Sequence, residues 1–266
     1  MPRMTEKPIV TVRVMIYNNA SKLHETIDSI MMQDYDAIEV IISDDGSADP
    51  DRELLEKERQ RAAEKCLDAI LLPAHENMGT VAHLNLINSK ANGRYLMSCC
   101  PGDVLNDAHT VSSIVEAFEK TGCRYLTSRR LDVYDDHIKV RPYAFTGLLL
   151  SCMPGRLMNH MIKNRNLISG CSSFERKDIF ETYGPYDEDY RLLEDFPFVV
   201  KLLQKKEKIG FLNKVTVRHG MGSGVSTGEI HPAIYKDLLT MRKKLLADPE
   251  GLYQSTVDFL KMNIEE

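Results

Sequence analysis

Glu39-Val40-Ile41-Ile42-Ser43-Asp44-Asp45-Gly46-Ser47 decides how this chain is read. Val40 to Ile42 is a short β-branched run without polar alternation, the pattern of a strand covered on both faces of a mainly parallel sheet. Two carboxylates, a glycine and a hydroxyl follow at once, which is the chemistry of a tight turn. In an open α/β sheet, ligands settle beyond the carboxyl ends of the strands. A strand that delivers Asp44 and Asp45 there offers acceptors to a nucleobase N–H and a ribose hydroxyl. The same residues also suit a plain turn whose aspartates only cap the loop.

Working outward, residues 9–16 read as a first strand ending at Tyr17-Asn18-Asn19, and residues 21–32 as a helix with Leu23, Ile27, Ile30 and Met31 at helical spacing. Residues 51–66 form a strongly charged, solvated outer helix, with Glu53 and Lys57 four apart. A strand at 69–72, a helix at 80–91, a strand at 95–99, a loop at 101–106 and a helix opened by Asp107 complete an alternation of strand and helix. That alternation predicts a doubly wound α/β sheet over about the first 120 residues. The second half is less regular: two strands within 124–140 around Asp135-Asp136, a strand at 172–175, a short helix at 177–182, a helix at 194–204, a β-like run at 209–217, a glycine-rich loop at 218–228 and a helix at 231–246.

Composition narrows the class. Of 266 residues, 43% are hydrophobic and 27% charged, enough for a sizeable core. A net charge of −5 argues against a broad nucleic-acid-binding face. No stretch reads as a signal peptide or reaches the roughly 20 apolar residues of a membrane span. The chain is therefore expected to be cytoplasmic, with reduced thiols. Its six cysteines show neither a CxxC pair nor zinc-ligand spacing, and Cys99 and Cys100 read as small buried residues.

Four places carry candidate chemistry. Tyr17 lies where a ring could stack on a base beside Asp44, although taken alone it reads first as a partly buried packing residue. Asp103, on the loop after the fourth strand, could hold Mg²⁺ or Mn²⁺, hard cations that share oxygen ligands with phosphates. Alone it is also an ordinary turn aspartate. Glu194-Asp195 opens a helix, where acidic residues are favoured by the dipole without any function. That rigid terminus also suits a base that removes a proton from a hydroxyl. The stretch 218–228, with Arg218, Ser223 and Ser226, reads as a phosphate loop. It is not a dinucleotide fingerprint, because Val225 stands where GxGxxG needs glycine.

In order along the chain, Tyr17-Asn18, Ser29-Ile30, Gln33, Ser43-Asp44-Asp45-Gly46-Ser47, Asn77-x-Gly79, Gly93-Arg94-Tyr95, Gly102-Asp103, Gly184-Pro185-Tyr186-Asp187-Glu188 and Glu194-Asp195 resemble a family 2 glycosyltransferase of GT-A fold. The resemblance covers about residues 9–226, and it is carried by the ordered set rather than by any single motif. It implies a GT-A type α/β fold with a doubly wound, mainly parallel sheet, a less regular acceptor-side half and C-terminal helices. The expected divisions are a nucleotide-sugar-binding half at 1–120, an acceptor-binding and catalytic half at 121–230 of the same domain, and a helical extension at 231–266.

The resemblance further implies inverting transfer of a sugar from a nucleoside diphosphate to a hydroxyl of a glycan or lipid-linked acceptor, in surface polysaccharide or glycoconjugate assembly. Tyr17, Asp44, Asp45, Asn77, Gly79, Arg218, Ser223 and Ser226 would bind the donor. Asp103 would hold Mg²⁺ or Mn²⁺, and Asp195, with Glu194, would activate the acceptor. The metal motif departs from the family's: Pro101 stands where the first acid would be, and Val104 replaces the following one. A nucleotide-sugar- or glycan-binding module without turnover is one alternative. A sugar-1-phosphate nucleotidyltransferase is another, although its glycine- and arginine-rich N-terminal loop is absent. Finally, the apolar and basic stretch 143–163 reads either as a core helix with its loop or as a surface that presents a lipid-linked acceptor at a membrane, in peripheral contact.

Overall fold

Val10, Val12, Val14 and Ile16 point to one face of the first strand and Thr11 and Arg13 to the other, and all six are buried. Both faces are covered, and so is the neighbouring run Val40 to Ile42, for which the absence of polar alternation predicts it. The computed structural model describes residues 7–221 and 231–264. Strand β1 (Val10–Ile16) leads through α1 (Leu23–Met31) to β2 (Ile38–Asp44) and α2 (Arg52–Ala63). The chain continues through β3 (Asp68–Leu71), α3 (Thr80–Lys90) and β4 (Tyr95–Ser98). A short β5 (Asp103–Leu105) precedes α4 (Thr110–Thr121), the hairpin β6 (Tyr125–Val133) and β7 (Ile138–Arg141), and two helices, α5 (Phe145–Cys152) and α6 (Pro154–Lys163). Then follow β8 (Ser173–Arg176), α7 (Ile179–Tyr183), α8 (Asp195–Gln204), β9 (Ile209–Gly220), α9 (Pro232–Ala247) and α10 (Gln254–Met262).

These strands form one nine-stranded sheet in the order β3-β2-β1-β4-β8-β6-β9-β5, with β7 added to β6. The half containing β3, β2, β1 and β4 is parallel, while β8 enters antiparallel between β4 and β6. Because the chain moves outward from β1 to β3 and returns on the other side at β4, the order reverses between β1 and β4. A crevice therefore opens at the carboxyl ends of those two strands.

Helices α1, α2 and α4 bury Leu23, Ile27, Leu55, Val111, Ile114 and Phe118 against one face. Helices α3, α6, α8, α9 and α10 bury a second cluster that includes Val81, Leu157, Val199, Met241 and Leu260. Each such side chain contributes about 1.5–3 kcal/mol on burial. Arg13 is the cost of covering both faces of β1. At 1% exposure it donates to Glu175 Oε2 at 2.9 Å and to Asn88 Oδ1 at 2.9 Å. Tyr186 Oη–H satisfies the other Glu175 oxygen at 2.9 Å. Loss of either partner would leave a buried charge unpaired, a cost of about 3–5 kcal/mol.

Three sequence expectations need correction. The 101–106 loop contains strand β5, which pairs antiparallel with β9. Strand β9 runs on to Gly220, so Arg218 lies in a strand and not in a loop. The charged helix α2 is not wholly solvated, since Glu58 is buried against His24 Nδ1 at 2.9 Å and the Arg61 guanidinium. Helix α10 lies within the expected C-terminal extension, at a place where no individual helix was predicted. The 143–163 stretch divides at Met153 into α5 and α6, with Leu150, Leu157 and Met158 in the core and Tyr143, Phe145 and Leu148 exposed. No helix among the described residues is long and apolar enough to cross a membrane.

Candidate active site

Strands β1 and β2 are in register with Ile16 opposite Asp44, so the residues that follow each strand meet. The Asp45 N–H donates to Ile16 O at 2.8 Å. Beyond Ile16 the Tyr17 ring is 53% exposed, open to a flat ligand. Asn18, at φ +55°, donates its N–H to Ser47 Oγ at 2.8 Å and accepts the Ala48 N–H at 2.9 Å. Ser47 in turn donates Oγ–H and N–H to Asp44 Oδ1 at 2.6 and 3.1 Å. Asp44 Oδ2 has no hydrogen-bond partner among the described residues. Asp44, Ser47 and Asp51 line a cavity of about 400 Å³ at this strand end.

Asp45 is placed differently from its neighbour. Its Oδ1 accepts the Met78 N–H at 3.0 Å, and its Oδ2 accepts from Asn77 Nδ2 and the Gly79 N–H, both at 3.0 Å. Both oxygens, expected to face a ribose, therefore hold the Asn77–Gly79 loop. Gly46 and Gly79 are required there: at φ +71° and +87°, a Cβ would come within 2.5 Å of Asn77 N and 2.7 Å of Arg191 O. The Arg191 guanidinium donates to Asn77 Oδ1, so the loop is tied to the segment entering α8.

Asp103 is held from α1. Thr26 Oγ1 donates to Asp103 O at 2.7 Å, Ser29 Oγ accepts the Leu105 N–H at 3.0 Å, and Gln33 Oε1 accepts the Val111 N–H at 3.0 Å. Ser29 and Gln33, two of the positions carrying the resemblance, thus position the segment that bears Asp103. Opposite it in the β5–β9 ladder is His219, whose Nδ1 lies 2.5 Å from Asp103 Oδ1. Sequence reasoning missed His219, because a histidine 116 residues away in a glycine-rich run gives no local signal. Arg218 is exposed. Successive strand side chains alternate in direction, so it is not brought to the side where His219 meets Asp103. Ser223 and Ser226 lie outside the described residues.

Asp195 begins α8. Its Oδ2 accepts the Gly170 N–H at 2.8 Å and its Oδ1 the Phe196 N–H at 2.5 Å. Burial raises its pKa, opposed by those two N–H groups and by the charge of Arg130. Burial, and then the charge of Asp195, push Glu194 up to about 8. The adjacent pair therefore holds a proton into the neutral range. Burial pushes the Cys100 thiol, three residues before Asp103, up to about 12. Cys99 is buried, as its sequence setting predicts, and burial raises its thiol likewise, whereas Cys100 is only partly buried.

A cation would find one carboxylate oxygen and one imidazole nitrogen at Asp103 and His219, a donor set that suits Mn²⁺ and leaves positions for phosphate oxygens. No group of three His, Cys, Asp or Glu residues suited to a metal occurs among the described residues. Any metal here would thus need ligands from elsewhere.

The overall architecture has solved counterparts. TarS from S. aureus, in complex with UDP-GlcNAc, superposes with a TM-score of 0.70 at 16% identity, over 95% of this chain and 70% of that one. The mannosyltransferase PcManGT from Pyrobaculum calidifontis, in complex with GDP-Man and Mn²⁺, gives 0.68 at 17% identity, over 98% and 70%. At these identities the likeness is one of fold, the GT-A glycosyltransferase fold. In sequence, the uncharacterized glycosyltransferase RP339 of Rickettsia prowazekii is 25% identical over 227 residues, 83% of this chain and 66% of its own length. The chain spans less than two thirds of the length of the first curated relatives it matches. The profile of glycosyl transferase family 2 matches residues 11–184, from β1 through the strand ends that carry Tyr17, Asp44 and Asp103 to the end of α7, and the chain belongs to that family.

Proposed function

We propose that this chain transfers a sugar, with inversion, from a nucleoside diphosphate donor to a hydroxyl of a glycan or lipid-linked acceptor in surface polysaccharide or glycoconjugate assembly. The observation that carries this reading is Asp195, fixed at the start of α8 by two backbone N–H groups, one of them from Gly170 across the fold. Tyr17 stacks on the base, and the unpartnered Asp44 Oδ2 accepts a base N–H. Asp45 acts by holding the Asn77–Gly79 loop, which forms a wall of the donor site. Asp103 and His219 hold Mg²⁺ or Mn²⁺, which when bound offsets the charge of the diphosphate.

Asp195 accepts the proton of the acceptor hydroxyl. The hydroxyl oxygen forms the new bond to the anomeric carbon on the face opposite the diphosphate. The bond from that carbon to phosphate breaks, and its electron pair leaves on the nucleoside diphosphate. The donors bound by the structural counterparts make UDP- and GDP-sugars the first to screen, by release of nucleoside diphosphate with Mn²⁺ and a mixed acceptor pool. Donor binding without release under every condition would favour the binding-module alternative.

Exposed Tyr143, Phe145 and Leu148 support a further part of the reading, peripheral contact with a membrane carrying the acceptor. Co-sedimentation with anionic liposomes, lost in Leu148→Asp, tests that contact; no sedimentation of the unaltered protein rejects it.

A further inference from the structure

Between the β6–β7 hairpin and helices α5 and α6 lies a cavity of about 620 Å³ lined by none of the residues assigned above to the donor. Its charged lining is one-sided: Arg130, Arg141, Arg156 and Arg165 face it, against Asp132 alone. Asp132 is 2% exposed and is engaged by Arg130 Nε at 2.6 Å and Arg141 Nε at 3.3 Å. It offsets one of these charges and fixes two guanidinium groups on the cavity wall. Arg156 and Arg165 are exposed and make no ion pair with any of the described residues. In a chain of net charge −5, an excess of three positive charges around one cavity is a local feature and not a reflection of overall composition.

The cavity is linked through the chain to the proposed base. Asn166 and Leu167 line it, and three residues further on Gly170 donates its N–H to Asp195 at 2.8 Å. Arg130 lies on the cavity wall and its charge reaches Asp195. Tyr143 and Phe145 also line it, their rings stacked with centroids 5.9 Å apart at 12°. Guanidinium forks match the oxygens of a phosphate, and several of them exceed what a single carboxylate needs. Exposed aromatic faces suit the apolar faces of a sugar ring. A volume of this size falls within the usual range for small-ligand sites.

We propose that this cavity is the acceptor subsite and that it selects a phosphate-bearing carbohydrate, a sugar or polyol whose accepting hydroxyl lies close to a phosphate ester. The inference rests on the glycosyl-transfer reading above. Arg156 and Arg165 bind the phosphate, and Tyr143 and Phe145 support the ring. The phosphate belongs either to a soluble carbohydrate or to the link between a sugar and a lipid carrier.

The test uses calorimetric titration with glucose 6-phosphate and glycerol 3-phosphate against glucose and glycerol, and sedimentation with phosphatidylglycerol against phosphatidylcholine vesicles. Removing one charge-assisted phosphate contact weakens binding by about tenfold or more, so Arg156→Gln and Arg165→Gln should each show that loss, whereas Asp44→Ala should not. Binding of the soluble esters assigns a soluble acceptor, and binding of phosphatidylglycerol vesicles alone assigns a lipid-linked one only where Arg156→Gln and Arg165→Gln weaken it; vesicle binding that both variants keep is the general membrane contact and overturns the proposal. The proposal is overturned if phosphate confers no advantage in either arm, or if both arginine variants bind as the unaltered protein does. It is also overturned if Asp44→Ala abolishes the binding, which would place the phosphate in the donor site. Nucleotide-sugar titration of the same unaltered protein reports separately on the donor reading, so the two can fail independently.

Discussion

Asp237, on α9, accepts the Leu192 N–H at 2.7 Å and the N–H groups of Arg191 and Leu193 at 3.0 Å, immediately before Glu194 and Asp195. A carboxylate from the C-terminal helices, 2% exposed, therefore sets the direction in which the chain enters α8. Asp237→Ala would leave three backbone donors without their acceptor, at about 1–3 kcal/mol for each that stays dry. The expected result is a melting temperature lower by several degrees, since ~1 kcal/mol is worth about 2–4 °C in a chain of this size. Transfer should weaken with it, and Asp237→Asn, which keeps one acceptor oxygen, should restore part of both. An unchanged melting curve would reject the positioning role.

Asp195→Asn should abolish transfer while nucleotide-sugar affinity is retained, because the base acts on the acceptor alone. General-base catalysis is worth ~10²-fold or more, so a variant keeping above about a tenth of the rate removes Asp195 from that role. Steady-state transfer and calorimetry on the same preparation separate the two effects.

The raised pKa values of the Glu194–Asp195 pair give a signed pH dependence. A carboxyl whose folded pKa lies above its unfolded value stabilises the fold fully below the unfolded pKa, and that stability is lost as pH rises through the folded one. The melting temperature should therefore decline from the ordinary glutamate range up through about 8, while the transfer rate rises as the pair loses its proton. Glu194→Gln should flatten the decline. A melting temperature that does not change across this window in the unaltered protein contradicts the shift.

For Asp44→Ala the defect should appear in donor affinity. A charged acceptor facing a base N–H contributes ~1.5–3 kcal/mol, about tenfold or more in Kd. Unchanged nucleotide affinity by calorimetry would make Asp44 a turn residue that only holds Ser47.

Asp103→Asn and His219→Ala should each reduce Mn²⁺ binding measured by electron paramagnetic resonance in the presence of nucleoside diphosphate, and with it any metal stimulation of transfer. Full activity of the unaltered protein in excess chelator would show that diphosphate charge is managed without a cation.

Much of the first half was legible because its signals are local. The β-branched run 40–42 marks a strand covered on both faces, and helical spacing marks α1 and α4. Asp44 and Asp45 follow a strand whose end must open on the ligand crevice. Periodicity could not show which of two adjacent carboxylates faces outward. Asp44 keeps a free oxygen because Ser47 occupies only Oδ1, whereas Asp45 is enclosed by a loop more than 30 residues further on.

What the sequence determined by itself was the set of local conformations and the residue types at strand and helix ends, since these follow from short-range sterics, periodicity and capping. What only the tertiary structure decided was which distant residues meet. Asp103 with His219, Arg13 with Glu175 and Asp237 with Leu192 are separated by 116, 162 and 45 residues. A three-residue strand such as β5 has too few positions to show a period, and it exists because β9 supplies its hydrogen-bonding partner. Likewise Arg218 and His219 are neighbours in sequence, and the pleat of β9 alone determined which of them turns toward Asp103.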